Sequence, residues 1–267
     1  ILERDSATLG VLENYKVFLK TINSILLHRK DRTLSKQVNI FTTNIDIFFE
    51  KALEELGLEY SDGFNGRFLP IFDLSNFKKS TFKKSLQYDN TSEIPVFNLL
   101  KLHGSLTWAI HDNKKIKFTS NLDPVRDIQK LDFTGINAST PKQTLDQLKA
   151  STANKRISPT TTNFLDIYQK LPIINPTKDK FKLTLLNQTH YEMLRIYSNE
   201  LEKENTVLFV MGFSFADEHI REVTKRAVNS NPTLTIYIIA HTTKSKTDFE
   251  LLLDIQNLKN KNIKIIG

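Results

Sequence analysis

The sequence predicts an α/β fold, a doubly wound parallel sheet with inserted loop and helical excursions. Three observations predict it. Short runs that are apolar throughout recur along the chain, as in strands covered on both faces. Helical periodicity follows several of these runs directly. Polar turns stand at the junctions between the two. The 267 residues suffice for one large domain that buries most of its apolar surface without a disulfide or metal staple.

The elements follow in order. Residues 11–30 place Val11, Tyr15, Phe18, Ile22, Ile25 and Leu26 at helical spacing, which predicts an amphipathic helix. Val38-Asn39-Ile40-Phe41 is a β-favouring run that ends in Thr42-Thr43-Asn44. Ile45, Phe48, Phe49, Ala52, Leu53 and Leu56 then recur at helical spacing, and Gly57 stands where a helix commonly terminates. Residues 96–102 (VFNLLKL) read as a further strand that ends at His103-Gly104-Ser105. Residues 106–110 and 115–118 flank Asp112-Asn113-Lys114 as a β-hairpin. The strand–turn–helix grammar returns at Val207-Leu208-Phe209-Val210-Met211, the turn Gly212-Phe213-Ser214-Phe215, and a helix with Ile220, Val223, Ala227 and Val228 on one face. Residues 234–240 form a strand, 249–258 a helix and 263–266 a last strand. Residues 58–95 and 105–171 read as excursions from the sheet within a single domain spanning 1–267.

Composition removes several classes of function. The chain has no cysteine, which excludes a disulfide framework, a thiolate nucleophile and any cysteine-ligated zinc site. Lys plus Arg outnumber Asp plus Glu by 37 to 30, a formal charge of +7 that suits a nucleotide or nucleic-acid partner. No apolar run approaches the roughly 18 residues of a membrane span, and no signal peptide is visible. The expectation is a cytoplasmic protein without membrane association.

In an open α/β sheet, ligands bind beyond the carboxyl ends of the strands. The polar residues there are Thr42, Thr43, Asn44 and Asp46; His103, Gly104 and Ser105; Gly212 and Ser214; and His241. Position alone suggests a nucleotide site. The motifs say more. Thr42-Thr43-Asn44-Ile45-Asp46, then Lys101-Leu102-His103-Gly104-Ser105-Leu106-Thr107-Trp108, then Gly212-Phe213-Ser214-Phe215-Ala216-Asp217-Glu218-His219 come in the order of sirtuin-like domains. The chain most resembles the bacterial branch of that family, in which TTNxD, KLHGSLxW and GxSFxDxH recur. Ile174-Asn175-Pro176-Thr177-Lys178 resembles a segment of the same branch.

The resemblance implies a Rossmann-like fold and cleavage of the nicotinamide–ribose bond of NAD. It further implies an NAD hydrolase acting as an effector of bacterial anti-phage defence by abortive infection. Under it, Asn44 lies against the nicotinamide ribose and helps place the attacking water, Asp46 holds the carboxamide, and His103 is the general base. Ser214 contacts the adenosine ribose beside the Gly212 turn, and Thr42, Thr43, Gly104 and Ser105 complete the cofactor contacts. NAD enters as substrate, with no zinc. Restraint of so toxic an activity is expected from a homo-oligomer, a HerA-type ATPase or an Argonaute-like sensor. The chemistry fits these residue types. An oxocarbenium-like sugar needs an activated oxygen nucleophile, and an imidazole with an ordinary pKa of about 6.5 can take its proton near neutrality.

The family's Gly-rich phosphate loop of GAGxS type is not among these residues. It is expected upstream of the Thr42 motif, so the first strand and the phosphate cradle are expected from residues preceding Ile1. The missing four-cysteine zinc ribbon argues against a protein deacylase and for hydrolysis. Simpler readings stand beside each assignment. Asn44 and Asp46 are also good helix caps, and His103 is also a typical buried strand-end histidine. Asp217, Glu218 and His219 favour a structural role at a helix start, with no metal. Trp108 either lines a pocket or packs the hairpin. Lys78, Lys79, Lys83 and Lys84, interleaved by Phe77 and Phe82, form either a solvated face or a nucleic-acid contact. That contact carries the alternative reading, a catalytically silent module that associates with nucleic acid.

Overall fold

A computed structural model describes residues 6–29, 35–87, 89–112, 115–131, 159–174 and 184–267. The architecture is mixed α/β with both parallel and antiparallel sheets. The chain divides into two compact units, Ile1–Ile173 and Ile174–Gly267. Asn113 and Lys114 of the expected hairpin turn, residues 132–158 of the second excursion and residues 175–178 of the INPTK segment lie outside the described residues.

In the first unit, α1 covers Ser6–Leu27, β1 Gln37–Thr42 and α2 Phe48–Glu55. Short strands follow at Tyr60–Ser61 (β2), Phe64–Asn65 (β3) and Ile71–Phe72 (β4). Strands β5 (Thr81–Lys84) and β6 (Thr91–Ile94) pair as an antiparallel hairpin. Then come β7 (Val96–Lys101), β8 (Trp108–His111) and β9 (Lys115–Phe118). Two helices, α3 (Asp123–Gln129) and α4 (Pro159–Tyr168), follow.

The element that organises this unit is β7. It lies between β1 and β2, parallel to both, with Gln37 opposite Val96 and Thr42 opposite Lys101. Every residue of VFNLLK is buried, as an apolar run in a parallel sheet predicts. Its one amide is satisfied inside the sheet. Asn98 Nδ2 donates to Asn39 Oδ1 at 2.9 Å, from the residue directly opposite, and to Gln37 Oε1 at 3.3 Å. Leu12 and Leu19 of α1, Ala52 and Leu53 of α2, and Phe97 and Leu99 of β7 form one buried cluster. Leu53 is fully buried there, so its truncation to alanine costs about 2–5 kcal/mol.

The helix expected from Ile45 begins at Phe48, because the Asp46 carboxylate accepts the Phe48 N–H at 3.0 Å and keeps residues 43–47 as a turn. Its end is where Gly57 places it. Gly57 N–H bonds Glu54 O and Leu58 N–H bonds Leu53 O, both at 3.0 Å. The first excursion is not wholly outside the sheet, since β2 pairs with β7. The remaining strands, in the order β3-β4-β9-β8, form an antiparallel sheet. Trp108 packs there against Phe64 and Phe72, with ring centroids 6.0 and 5.1 Å away.

The second unit contains α5 (Thr184–Leu201), β10 (Val207–Met211), α6 (Glu218–Ser230), β11 (Thr235–Ile239), α7 (Thr243–Leu252) and β12 (Ile263–Ile266). Its three strands are parallel in the order β10-β11-β12. Ile220, Val228, Leu234, Ile236 and Ile238 are buried, while Val207, Phe209 and Met211 remain about half exposed. Strand β10 is therefore buried on one side only, against the expectation of cover on both faces. The last helix also differs from the expected 249–258. It starts earlier, at a capping box in which Thr242 Oγ1 accepts the Ser245 N–H and Ser245 Oγ accepts the Thr242 N–H.

Candidate functional site

Two turns leave the carboxyl ends of the neighbouring strands β1 and β7. The first, residues 43–47, carries Thr43, Asn44 and Asp46. The second, residues 102–107, carries His103, Gly104 and Ser105. The backbone stitches them together. Leu102 N–H bonds Thr42 O at 2.8 Å, and Leu106 N–H bonds Ile45 O at 3.0 Å. Parallel pairing of the two strands thus places the TTNID and LHGS motifs side by side.

Within the first turn, Thr42 Oγ1 accepts the Asn44 N–H at 3.0 Å. Asn44 Nδ2 donates to the Tyr15 hydroxyl at 3.4 Å, from helix α1. The Tyr15 ring is itself fixed, stacked on Phe48 and edge-on to Phe49. Burial, and next the Asp46 charge, push the Tyr15 phenol above its ordinary pKa, which keeps it a neutral hydrogen-bonding group. Asp46 partly fulfils the capping role weighed for it, through its bond to Phe48 N–H. Asn44 does not cap α2, whose N-cap residue is Ile47.

The second turn is tight because of Gly104, at φ +84°. Gly104 N–H bonds Lys101 O at 3.2 Å, and the residue forms an isolated antiparallel bridge with Ile173. A β-carbon at Gly104 would run into the Pro172 carbonyl oxygen, so only glycine fits. Backbone packs closely on this glycine, and the neighbour is Pro172. Ser105 is fully buried, with its hydroxyl donating to Ile45 O at 3.5 Å and 3.0 Å from Thr107 Oγ1. Its contacts hold the turn. His103 is half-buried at the head of the turn.

Beneath both turns lies a buried ion pair to which the motifs alone assign no role. Lys101 Nζ stands 2.7 Å from Glu50 Oε1, with both side chains almost completely covered. Lys101 also donates to the Asp46 carbonyl and, at 3.1 Å, to Ser105 Oγ. Burial raises the Glu50 carboxyl above its ordinary range, against the pull of Lys101, and burial likewise raises Asp62. Nearby, Glu54, Tyr60, Asp62, Phe64, Arg67 and Phe118 border an open cleft of about 400 Å³. The signals available in the sequence were a lysine closing a strand apolar but for Asn98, and a tyrosine on the inner face of the first helix.

Gly212 and Ser214 belong to the second unit, in the turn after β10. Gly212 has φ +63° with open space beside its Cα, and Ser214 is exposed, its hydroxyl accepting the Ala216 N–H at 3.4 Å. Asp217 is a helix cap, taking the His219 and Ile220 N–H groups at 2.9 and 3.2 Å. Arg221 braces the same turn through the Phe215 carbonyl at 3.0 Å. His241 is exposed immediately after the third strand end.

The basic excursion is partly spent on structure. Lys79 Nζ bonds Asn76 Oδ1 at 2.6 Å, Lys84 pairs with Asp89 at 2.7 Å, and Phe77 is buried, leaving Phe82 exposed. Among the described residues no group of three or more His, Asp or Glu is placed to hold a metal ion. No helix among them is long and apolar enough to cross a membrane.

A family model described as a SIR2-like domain matches residues 38–266. A comparison with curated protein sequences finds no match.

Proposed function

Because the chain belongs to the SIR2-like domain family, a family of NAD-related, sirtuin-type function, we propose that it is an NAD hydrolase that breaks the nicotinamide–ribose bond. The supporting observation is the juxtaposition of the Asn44 and His103 turns on paired parallel strands, joined by the Leu106–Ile45 hydrogen bond.

In this reading the bond between ribose C1′ and the pyridinium nitrogen breaks, and its electron pair leaves with neutral nicotinamide. The sugar passes through an oxocarbenium-like state. A water held by Asn44 attacks C1′ and gives its proton to the His103 imidazole, leaving ADP-ribose. Asn44 suits the task because its amide both donates and accepts while being a poor nucleophile. Asp46 accepts from the carboxamide N–H; its carboxylate is oriented by the Phe48 N–H and its backbone carbonyl is held by Lys101. Thr42, Gly104 and Ser105 shape and hold the two turns, and Thr43 stands in the first of them. The assignment of Ser214 to the adenosine ribose rests on its motif.

The same reading includes a Rossmann-like doubly wound architecture, a role as a defence effector in the cytoplasm, and restraint by self-association or by an ATPase or sensor partner. Nicotinamide release from NAD by the full-length protein tests it. Release should vanish in Asn44→Ala and in His103→Ala. Undiminished turnover by either folded variant, under conditions that activate the wild type, would remove the assignment.

A further inference from the structure

We propose that Lys101 and Glu50 are a positioning pair that locks the Asn44 turn against the His103 turn. The inference rests on the NAD-cleaving reading of the same site and adds to it residues outside the reacting groups.

The geometry is specific. Lys101 closes β7, and its side chain runs on the same face as Phe97 and Leu99, toward α2. An ammonium has three donors and no acceptor. Here one donor goes to the Asp46 carbonyl in the first turn, one to Ser105 Oγ in the second, and one to Glu50 Oε1 in the first turn of α2. A single buried atom therefore ties both motif turns to the helix behind them. A methionine would fill the same space and supply none of these bonds.

Stability alone is a poor reason for such a pair. A buried ion pair rarely outperforms an apolar pair of similar volume, because desolvating two charges offsets their attraction. Glu50 displays that cost, since its Oε2 is buried without a hydrogen-bond partner. The start of a helix is also an unfavourable place for a cation, and the Glu50 carboxylate offsets that field. What the pair supplies and an apolar pair does not is a fixed distance between the two turns. Misplacement of catalytic groups by about 1 Å can cost about a hundredfold in rate.

The decisive variant is Lys101→Met/Glu50→Leu, which removes both charges and keeps the volume. It should unfold within a few degrees of the wild type, yet its kcat for nicotinamide release should fall by about a hundredfold at equal folded protein. Wild-type kcat in that folded variant would overturn the proposal.

If the double variant does not fold, Glu50→Gln decides. It leaves Lys101 bonded to both turns but without its carboxylate partner on α2. The ammonium then loses the anion that anchors it to α2, so the two turns should be held less firmly and kcat for nicotinamide release should fall by about tenfold while KM changes little. An unchanged kcat in folded Glu50→Gln would overturn the proposal.

If the wild type releases no nicotinamide, the catalytic reading fails by itself and amide hydrogen exchange judges the pair. The Leu106 amide, bonded to Ile45 O, should exchange faster in whichever variant folds. Unchanged protection there would overturn the positioning role.

Discussion

The Asn44 side chain donates to the hydroxyl of Tyr15 at 3.4 Å, linking the turn after β1 to a helix some thirty residues upstream. The aromatic contacts with Phe48 and Phe49 hold that tyrosine without help from its hydroxyl. Tyr15→Phe should therefore keep the fold and lower nicotinamide release by about fivefold, the equivalent of a hydrogen bond worth about 1 kcal/mol. Parallel measurement of turnover and thermal unfolding checks this. An unchanged rate would mean that the hydroxyl does not orient Asn44.

Gly104 and Gly212 both sit at positive φ, +84° and +63°, but their surroundings differ. A methyl group at Gly104 meets the Pro172 carbonyl, whereas at Gly212 it meets open space. Gly212→Ala should cost about 1 kcal/mol, the usual penalty of the left-handed region. Gly104→Ala should cost clearly more, because backbone must move as well. Denaturant unfolding of the two variants, compared side by side, measures the difference, and equal costs would contradict the packing described around Pro172.

Stability should also depend on pH through Glu50. Burial raises its carboxyl above the ordinary value of 4.5 in spite of Lys101. The folded chain thus holds this proton more tightly than the unfolded one. The stabilisation is complete below the ordinary value and is lost as pH rises through the raised one. Glu50→Gln cannot lose that proton. The difference in unfolding temperature, variant minus wild type, should accordingly become more positive as pH rises above the ordinary value of 4.5. A difference that stays flat, or falls, would contradict the assignment.

The lysine-rich excursion separates the two classes of function. Lys79 and Lys84 already hold Asn76 and Asp89. Neutralising Lys78, Lys79, Lys83 and Lys84 together should leave nicotinamide release unchanged. A nucleic-acid module would instead show affinity that falls steeply with salt and disappears in the quadruple variant. Salt-dependent binding without any NAD turnover would favour that alternative.

Much of the fold was legible because its signals are local. The apolar run VFNLLK and the spacing of Phe48, Phe49, Ala52 and Leu53 specify β7 and α2 without knowledge of their neighbours. The two-residue strand β2 carries no such signal and exists only through its pairing with β7. The last helix was misplaced because its apolar spacing is weak, while the capping pair Thr242 and Ser245 marked its true start. The site divides in the same way. Asn44, Asp46 and His103 belong to motifs that can be read along the chain, and parallel pairing brings their turns together. Tyr15 and Lys101 leave a trace in the sequence, on the inner face of the first helix and at the end of a strand, but their roles and that of Glu50 come from three-dimensional contacts between α1, α2 and β7.

The most direct test of the account is nicotinamide release from NAD by the full-length protein, wild type beside His103→Ala, with and without the ATPase or sensor proposed to restrain it. Release by the wild type that is lost in the folded variant is the predicted result. Release that persists in His103→Ala would contradict the assignment of the base, and no release from the wild type under any condition would contradict the reaction itself.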